Sequence, residues 1–394
     1  MGISYRLSDE HEQLRAAVAE FARAVVAPVI GGFYERREFP YEIVAKMGKL
    51  GLFGLPFPEE YGGMGGDYLA FCIALHELGR VDSSVAITLE AAVGLGAMPI
   101  YRFGSARQRA RWLPELCQGE RLAAFGLTEP GGGSDIAGGM RTTARLEAGR
   151  WVIDGSKAFI TNSGTSITSL VTVLAATGPA PAGEPASRRE ISAIIVPSGT
   201  EGFTVAPEYS KVGWCASDTR ELAFASCRVP AENLLGQRGR GYAQFLQTLD
   251  EGRVAIAALS AGLAQGCVDE SLRYVREREA FGHRLGFFQS IQFKIADMEA
   301  RAHGARLAWL DAAARLVAGE PFKKQAAIAK LTASNAAMDN ARDATQIFGG
   351  YGFMNEFPVA RFYRDAKVLE IGEGTSEIQR MVIARELGVG AGPA

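Results

Sequence analysis

A single carboxylate, Glu373, lies in the stretch IGEGTSEIQR at 371–380, with a glycine on each side and two small hydroxyl residues, Thr375 and Ser376, after it. A helix is predicted to begin there, with Ser376 and Gln379 as its N-capping pair and Ile378, Met381 and Val382 on its buried face. Glycine neighbours let such backbone approach a ligand closely, and free N–H groups at a helix start suit an anionic or polar partner. Three further stretches carry comparable groups. Thr128-Glu-Pro-Gly-Gly-Gly-Ser134-Asp135 exposes backbone N–H groups and two hydroxyls after a strand. Phe159-Ile160-Thr161-Asn162-Ser163 places an aromatic beside hydrogen-bonding groups, an arrangement that suits a planar heterocycle. Arg276 and Arg278, near a helix end before Gly282, could clamp a diphosphate. Taken singly, each has a plainer reading: a helix-start turn, a flexible glycine turn, β core with a turn, and a solvated charged helix end.

The elements that must position these groups follow from periodicity. Ser8 caps a helix whose apolar residues Leu14, Val18, Phe21 and Val25 recur at helical spacing, and Pro28 ends or kinks it. Helices are predicted around 41–49, 68–80 and 107–118, so residues 1–124 read as helical. From 125 to 237 the pattern is β. Residues 150–161 read as two strands about an Asp154-Gly155 turn, with further strands at 170–174, 191–196 and 221–224 and an exposed loop at 178–190. No helix intervenes, which excludes a βαβ sheet. From 238 to 394 long helices return, with a bundle seam running from Phe288 through Ile291, Ile295, Met298, Ala302, Ala305, Trp309 and Ala312 to Leu316.

With 394 residues the chain is long enough for two or three cores. Its net charge of -2 gives no overall field for nucleic acid. Five scattered cysteines without a CxxC, and four histidines without ligand spacing, point away from a disulfide framework or a metal site and toward a reducing cytoplasm. No uninterrupted apolar run is long enough to span a membrane, and the N-terminus lacks a signal-peptide core.

Together these stretches resemble the acyl-CoA dehydrogenase family over essentially the whole chain: LTEPGGGSD at 127–135, KAFITNSG at 157–164, SDTREL at 217–222, RYVREREAFGHRL at 273–285, QIFGGYGF at 346–353 and IGEGTSEIQRMVIARE at 371–386. The resemblance implies an N-terminal helical domain, a middle β-barrel and a C-terminal four-helix bundle, with FAD as cofactor and a homotetramer built from dimers. It implies that Phe125, Leu127, Thr128, Phe159, Ile160 and Thr161 line the flavin. It places Arg278, Phe281 and Gln289, with Gln346, Gly349 and Gly350, at an inter-subunit grip on the rest of FAD. Thr375, Ser376 and Glu377 would contact FAD again, and Ser134, Asp250, Arg253 and Gly374 would touch the acyl-CoA.

By the same resemblance Glu373 is the base that removes the α-proton of an acyl-CoA thioester, the β-hydrogen passing to flavin and the electrons to an electron-transfer flavoprotein. Some members carry the base on the helix near Leu249, where this chain has Gly252; the adjacent Glu251 should point elsewhere. Gly372 stands where some members have tyrosine, and Ala280 replaces a hydroxyl residue. No arginine lies between Ser83 and Met98, which argues against a substrate with a distal carboxylate. Glu90, if it faces inward, shortens the acyl cavity, favouring a short, medium or branched acyl chain. An acyl-CoA oxidase, a flavin monooxygenase of the same fold and a non-catalytic acyl-CoA-binding subunit are the competing readings.

Overall fold

The computed structural model describes residues 6–180, 182–184 and 189–389, so part of the 178–190 loop lies outside the described residues. Its first element, Asp9–Phe21, is capped as expected, the Ser8 hydroxyl accepting from the His11 N–H. Pro28 does not end the helical run. A π-helical turn at Ala22–Val26 absorbs the register change, and Pro28 sits in the first turn of the following Ala27–Arg36 segment, where its missing N–H leaves no bond unmade. Helices Tyr41–Lys49, Tyr68–Gly79, Ser83–Glu90 and Ala106–Cys117 follow.

The sheet opens at residue 122. Its strands are β1 (Leu122–Gly126), β2 (Thr143–Glu147), β3 (Arg150–Thr161), β4 (Thr168–Gly178), β5 (Glu190–Pro197), β6 (Phe203–Val205), β7 (Thr219–Pro230) and β8 (Leu234–Leu235). Among the described residues they form one eight-stranded sheet in the order β6-β7-β3-β2-β4-β5-β8, with β1 also on β4. Pairing is mostly antiparallel. The exceptions are β1, which runs parallel to β4, and a single parallel β2–β4 contact; one helical turn, Ile136–Gly139, precedes β2. Trp151, Ile153, Val171, Val173, Ile194, Val196 and Leu222 fill the core this sheet wraps.

Asp154-Gly155 is not a hairpin turn. β3 continues through it, the β3–β7 ladder shifting register there by one extra residue on β7, and at Gly155 (φ +142°) a Cβ would stand 2.6 Å from the Thr142 Cα. The β2–β3 turn is instead Ala148-Gly149, both residues at positive φ, as a two-residue hairpin requires.

Gly241–Glu277, Gln289–Val317 and Lys323–Phe348 are the long helices of the C-terminal part, and Pro358–Leu369 and Ser376–Glu386 close it. Of the predicted seam, Met298, Ala302, Ala305, Trp309 and Ala312 are buried. Two helical runs, Asp9–Arg36 and Ser83–Phe103, do have the length and apolarity to cross a membrane; the second owes its apolarity to burial inside the fold, and the first lies mostly at the surface.

A buried polar knot ties the three parts together. Asp365 accepts hydrogen bonds from the Tyr34 hydroxyl (2.6 Å), the Ser83 hydroxyl (2.7 Å) and the Trp214 N–H (2.7 Å). Beside it, Arg361 donates to Asp82 at 2.8 Å. The last helical turns before Glu373 are thereby anchored to the N-terminal helices and to the sheet.

Candidate active site

The turn after Leu369 carries Glu373 at φ +57° and Gly374 at φ +89°. A left-handed conformation is strained for glutamate and is kept only where surrounding bonds hold it. Two donors do so: Gln379 Nε2 reaches the Glu373 and Gly374 carbonyls at 3.3 and 2.8 Å, and Lys330 Nζ reaches the Gly374 carbonyl at 2.8 Å. The predicted capping pair is therefore corrected. Thr375 is the N-cap, its hydroxyl accepting from the Ile378 N–H, while Ser376 is the first helical residue and Gln379 turns back to the 373 turn. The buried side of the helix is Ser376 and Gln379; Ile378 and Val382 are half-buried and Met381 is exposed. The turn's polar carbonyls take up the inward face that an apolar stripe would otherwise fill.

Both Glu373 carboxylate oxygens are buried, with no hydrogen-bond partner among the described residues, although part of the residue reaches the surface. Burial raises the carboxyl to about 7 against the downward pull of the Arg253 and Lys330 cations. Opposite it stands Gly252, where a Cβ would lie 2.4 Å from Glu373 Oε2. Glu251 points away, as expected from its place on the helix, and pairs with Arg102 at 3.4 Å. Asp250 and Arg253 form an ion pair with each other, Arg253 being almost fully buried with its Nε unpartnered.

Glu90 is also buried, at 0% exposure, with both oxygens unpartnered. Burial, then the Glu373 charge, holds its carboxyl well above the usual range. The Tyr68 hydroxyl is raised by burial and by the charges of Cys72, Glu251, Glu90 and Glu373, so helices Tyr68–Gly79 and Ser83–Glu90 face the same enclosed space as the 373 turn.

The flavin-segment residues fall at the ends of β1 and β3. Phe125 is buried and stacks on Phe245 at 3.9 Å, so one ring face is already covered. Leu127 is buried and Thr128 half-buried, and the Thr128 carbonyl accepts from the Ala158 N–H at 2.8 Å. Ile160 points into the sheet core and Thr161 ends β3, whereas Phe159, at φ +61°, is 65% exposed. A charge pair beneath them escaped the sequence reading: Lys157, wholly buried, bonds Glu129 at 2.8 Å and the Leu127 carbonyl at 3.2 Å. Ser134 is exposed at the edge of the glycine loop.

Arg278, Gly349 and Gly350 line one open cleft of about 550 Å³, with Arg278 over the Tyr351 ring at 5.6 Å. Phe281 (φ +53°) is 92% exposed, and Gln289, Gln346 and Glu377 are exposed as well. The sequence reading also missed Lys330 and Gln379 as supports of the 373 turn. Lys330 could have been found as the lone charge in the apolar stretch AAIAKLTA at 326–333.

Models of the acyl-CoA dehydrogenase N-terminal, middle and C-terminal domains match residues 8–120, 124–227 and 239–388. The chain belongs to the acyl-CoA dehydrogenase family. This acyl-CoA dehydrogenase is 46% identical to a probable acyl-CoA dehydrogenase of Bacillus subtilis, over 98% of the chain and 100% of that relative. Its fold is similar to butyryl-CoA dehydrogenase from Megasphaera elsdenii, with a TM-score of 0.92, 39% identity, and coverage of 98% and 99% of the two chains. It is equally similar to a chain in a structure described as the electron transferring flavoprotein of Acidaminococcus fermentans (TM-score 0.93, 39% identity, 98% and 99% covered).

The protein is an oxidoreductase of the FAD-dependent type, and its residues fit that cofactor. The Ser376 hydroxyl is buried with no partner among the described residues. Phe159 and Phe281 are both held at positive φ with their rings standing out of the fold, apolar surface ready for a planar group.

Proposed function

We propose that Glu373 is the base of an α,β-dehydrogenation that converts an acyl-CoA thioester to trans-2-enoyl-CoA. The observation that carries this reading is a buried, unpartnered carboxylate on a strained turn, raised to about 7 by burial. A thioester α-proton is weakly acidic, and a carboxylate stripped of water and tuned toward neutral pH is suited to remove it. The Glu373 N–H has no acceptor among the described residues and is free to stabilise charge developing on the thioester oxygen in this reading. FAD supplies the two-electron oxidant, receiving the β-hydrogen as hydride. Arg253 and Lys330 favour the ionised base before reaction. On this reading Thr128, Thr161, Thr375, Ser376 and Glu377 with the Phe125–Leu127 and Phe159–Ile160 segments hold the flavin. Arg278, Phe281, Gln289, Gln346, Gly349 and Gly350 hold the remainder of FAD between subunits of a homotetramer, and Ser134, Asp250, Arg253 and Gly374 contact acyl-CoA.

The substrate is a short acyl chain. Glu90 fills space near the base, and similarity to an enzyme named for butyryl-CoA supports the same length. An acidic residue there also disfavours a second carboxylate on the substrate. Similarity to the electron transferring flavoprotein structure supports a flavoprotein of that class as electron acceptor. Five free, buried thiols suit a reducing cytoplasm. Replacing Glu373 with Gln tests the core of the reading. The holoprotein should keep its flavin spectrum and lose about 10³-fold or more in turnover of butyryl-CoA; near-normal turnover would show that another group takes the proton. Hydrogen peroxide released in air in step with substrate loss would favour an oxidase instead.

A further inference from the structure

One buried cation near the base is bonded to the 373 turn itself. Lys330 lies on the inner face of the Lys323–Phe348 helix, at 0% exposure, among the buried alanines Ala326, Ala327, Ala329 and Ala333. Burying an ammonium among alanines is unfavourable unless it is paired. Its one recorded hydrogen bond runs across to the Gly374 carbonyl, at 2.8 Å. That carbonyl belongs to the residue after Glu373 and is shared with Gln379 Nε2, also at 2.8 Å.

We propose that Lys330 is a positioning residue for the base: its ammonium grips the Gly374 carbonyl, holds the left-handed Glu373–Gly374 turn and favours the ionised carboxylate. The proposal rests on Glu373 being the base. The geometry separates two contributions. Gln379 and Lys330 both restrain the carbonyl, but only Lys330 brings charge. Lys330 interacts with Glu373, Glu370 and Glu377 as attractive partners and with Arg253 as a repulsive one, and burial pushes its ammonium down to about 8. Around Glu373 the other charged or titratable groups are Arg253 from the Gly241–Glu277 helix, Glu90 from Ser83–Glu90 and Tyr68 from Tyr68–Gly79. Arg253 acts more strongly on the base but is paired with Asp250, and among the described residues Lys330 is the cation that also bonds the 373 turn.

The test is the pH profile of kcat/KM for butyryl-CoA in flavin-loaded Lys330→Met, Lys330→Gln, Lys330→Arg and Gln379→Leu proteins. Without the charge the base holds its proton more tightly, so in Lys330→Met the acid limb should move up by about one pH unit. On the falling limb that shift is about a tenfold loss. Lys330→Gln keeps a donor without the charge and should show the same displacement, which covers the case of a Met variant that fails to hold flavin. Lys330→Arg should keep the parental limb. Gln379→Leu should lower kcat without moving the limb. A parental limb in the charge-free variants, or a limb in Lys330→Arg displaced as far as theirs, overturns the proposal. Its failure is distinct from failure of the base assignment: in the first case Glu373→Gln remains inactive, and in the second it turns over.

Discussion

Gly252 and Glu373 occupy one place in space, since a Cβ on Gly252 would stand 2.4 Å from the Glu373 carboxylate oxygen. The helix position at which other members of the family resemblance carry a base and the turn position used here therefore converge on a single volume. Only one of them can hold a side chain when the other holds a carboxylate.

Gly252→Ala presses a methyl group onto the carboxylate. The helix should tolerate alanine, so fold and flavin content are expected to stay intact while kcat/KM for butyryl-CoA falls about 10- to 100-fold, the scale set by displacing a reacting group by an ångström or so. Moving the carboxylate, with Gly252→Glu and Glu373→Gly combined, should recover part of the activity lost in Glu373→Gly alone. Steady-state kinetics on the three proteins check this.

Activity should rise with pH through neutrality. As the proposed base Glu373 must be ionised, and burial raises its carboxyl from 4.5 to about 7. Proton abstraction is therefore lost as pH falls through about 7, and kcat/KM should drop tenfold per unit on the acid side. A profile between pH 5.5 and 9 decides; an acid limb near 4.5 would mean a solvated carboxylate.

Glu90 should set acyl length. Its side chain is fully buried, and burial, then the Glu373 charge, raises its carboxyl. Glu90→Gly opens space at the end of the cavity without removing a partnered group. The ratio of kcat/KM for octanoyl-CoA to that for butyryl-CoA is expected to rise about tenfold or more, the discrimination available from added methylenes. An unchanged ratio would place the end of the acyl chain elsewhere.

Lys157→Met should destabilise the fold. It strands the buried Glu129 carboxylate, which then keeps only the Arg141 and Thr142 N–H groups. Breaking a buried pair on one side costs about 3–5 kcal/mol. Thermal unfolding of the holoprotein should show the loss, with weaker flavin retention because Lys157 also holds the Leu127 carbonyl. Replacing both partners with apolar residues should recover much of the stability.

The sequence by itself determined the α, β, α succession, the bundle seam around Met298–Ala312 and the glutamate between two glycines. These are local or periodic signals, readable because side-chain spacing repeats with the element. It also located the Ser8 cap and the turning of Glu251 away from the Gly252 position, which depend only on helix geometry. What it read wrongly were competitions between local preferences. Asp154-Gly155 has turn chemistry, but apolar residues on both sides are held by β2 and β7, so β3 runs on through the pair and the ladder irregularity falls on β7. Pro28 is expected to end or kink the helix; the helical run does not end there, and a π turn at Ala22–Val26 takes up the misfit. Only the tertiary structure decided that Gly252 must be glycine, that Lys330 reaches a carbonyl 44 residues away, and that Glu373 raises the proton affinity of Glu90. Those facts depend on the distance between segments remote in sequence and on the water removed between them, and neither quantity is written in any single stretch of residues.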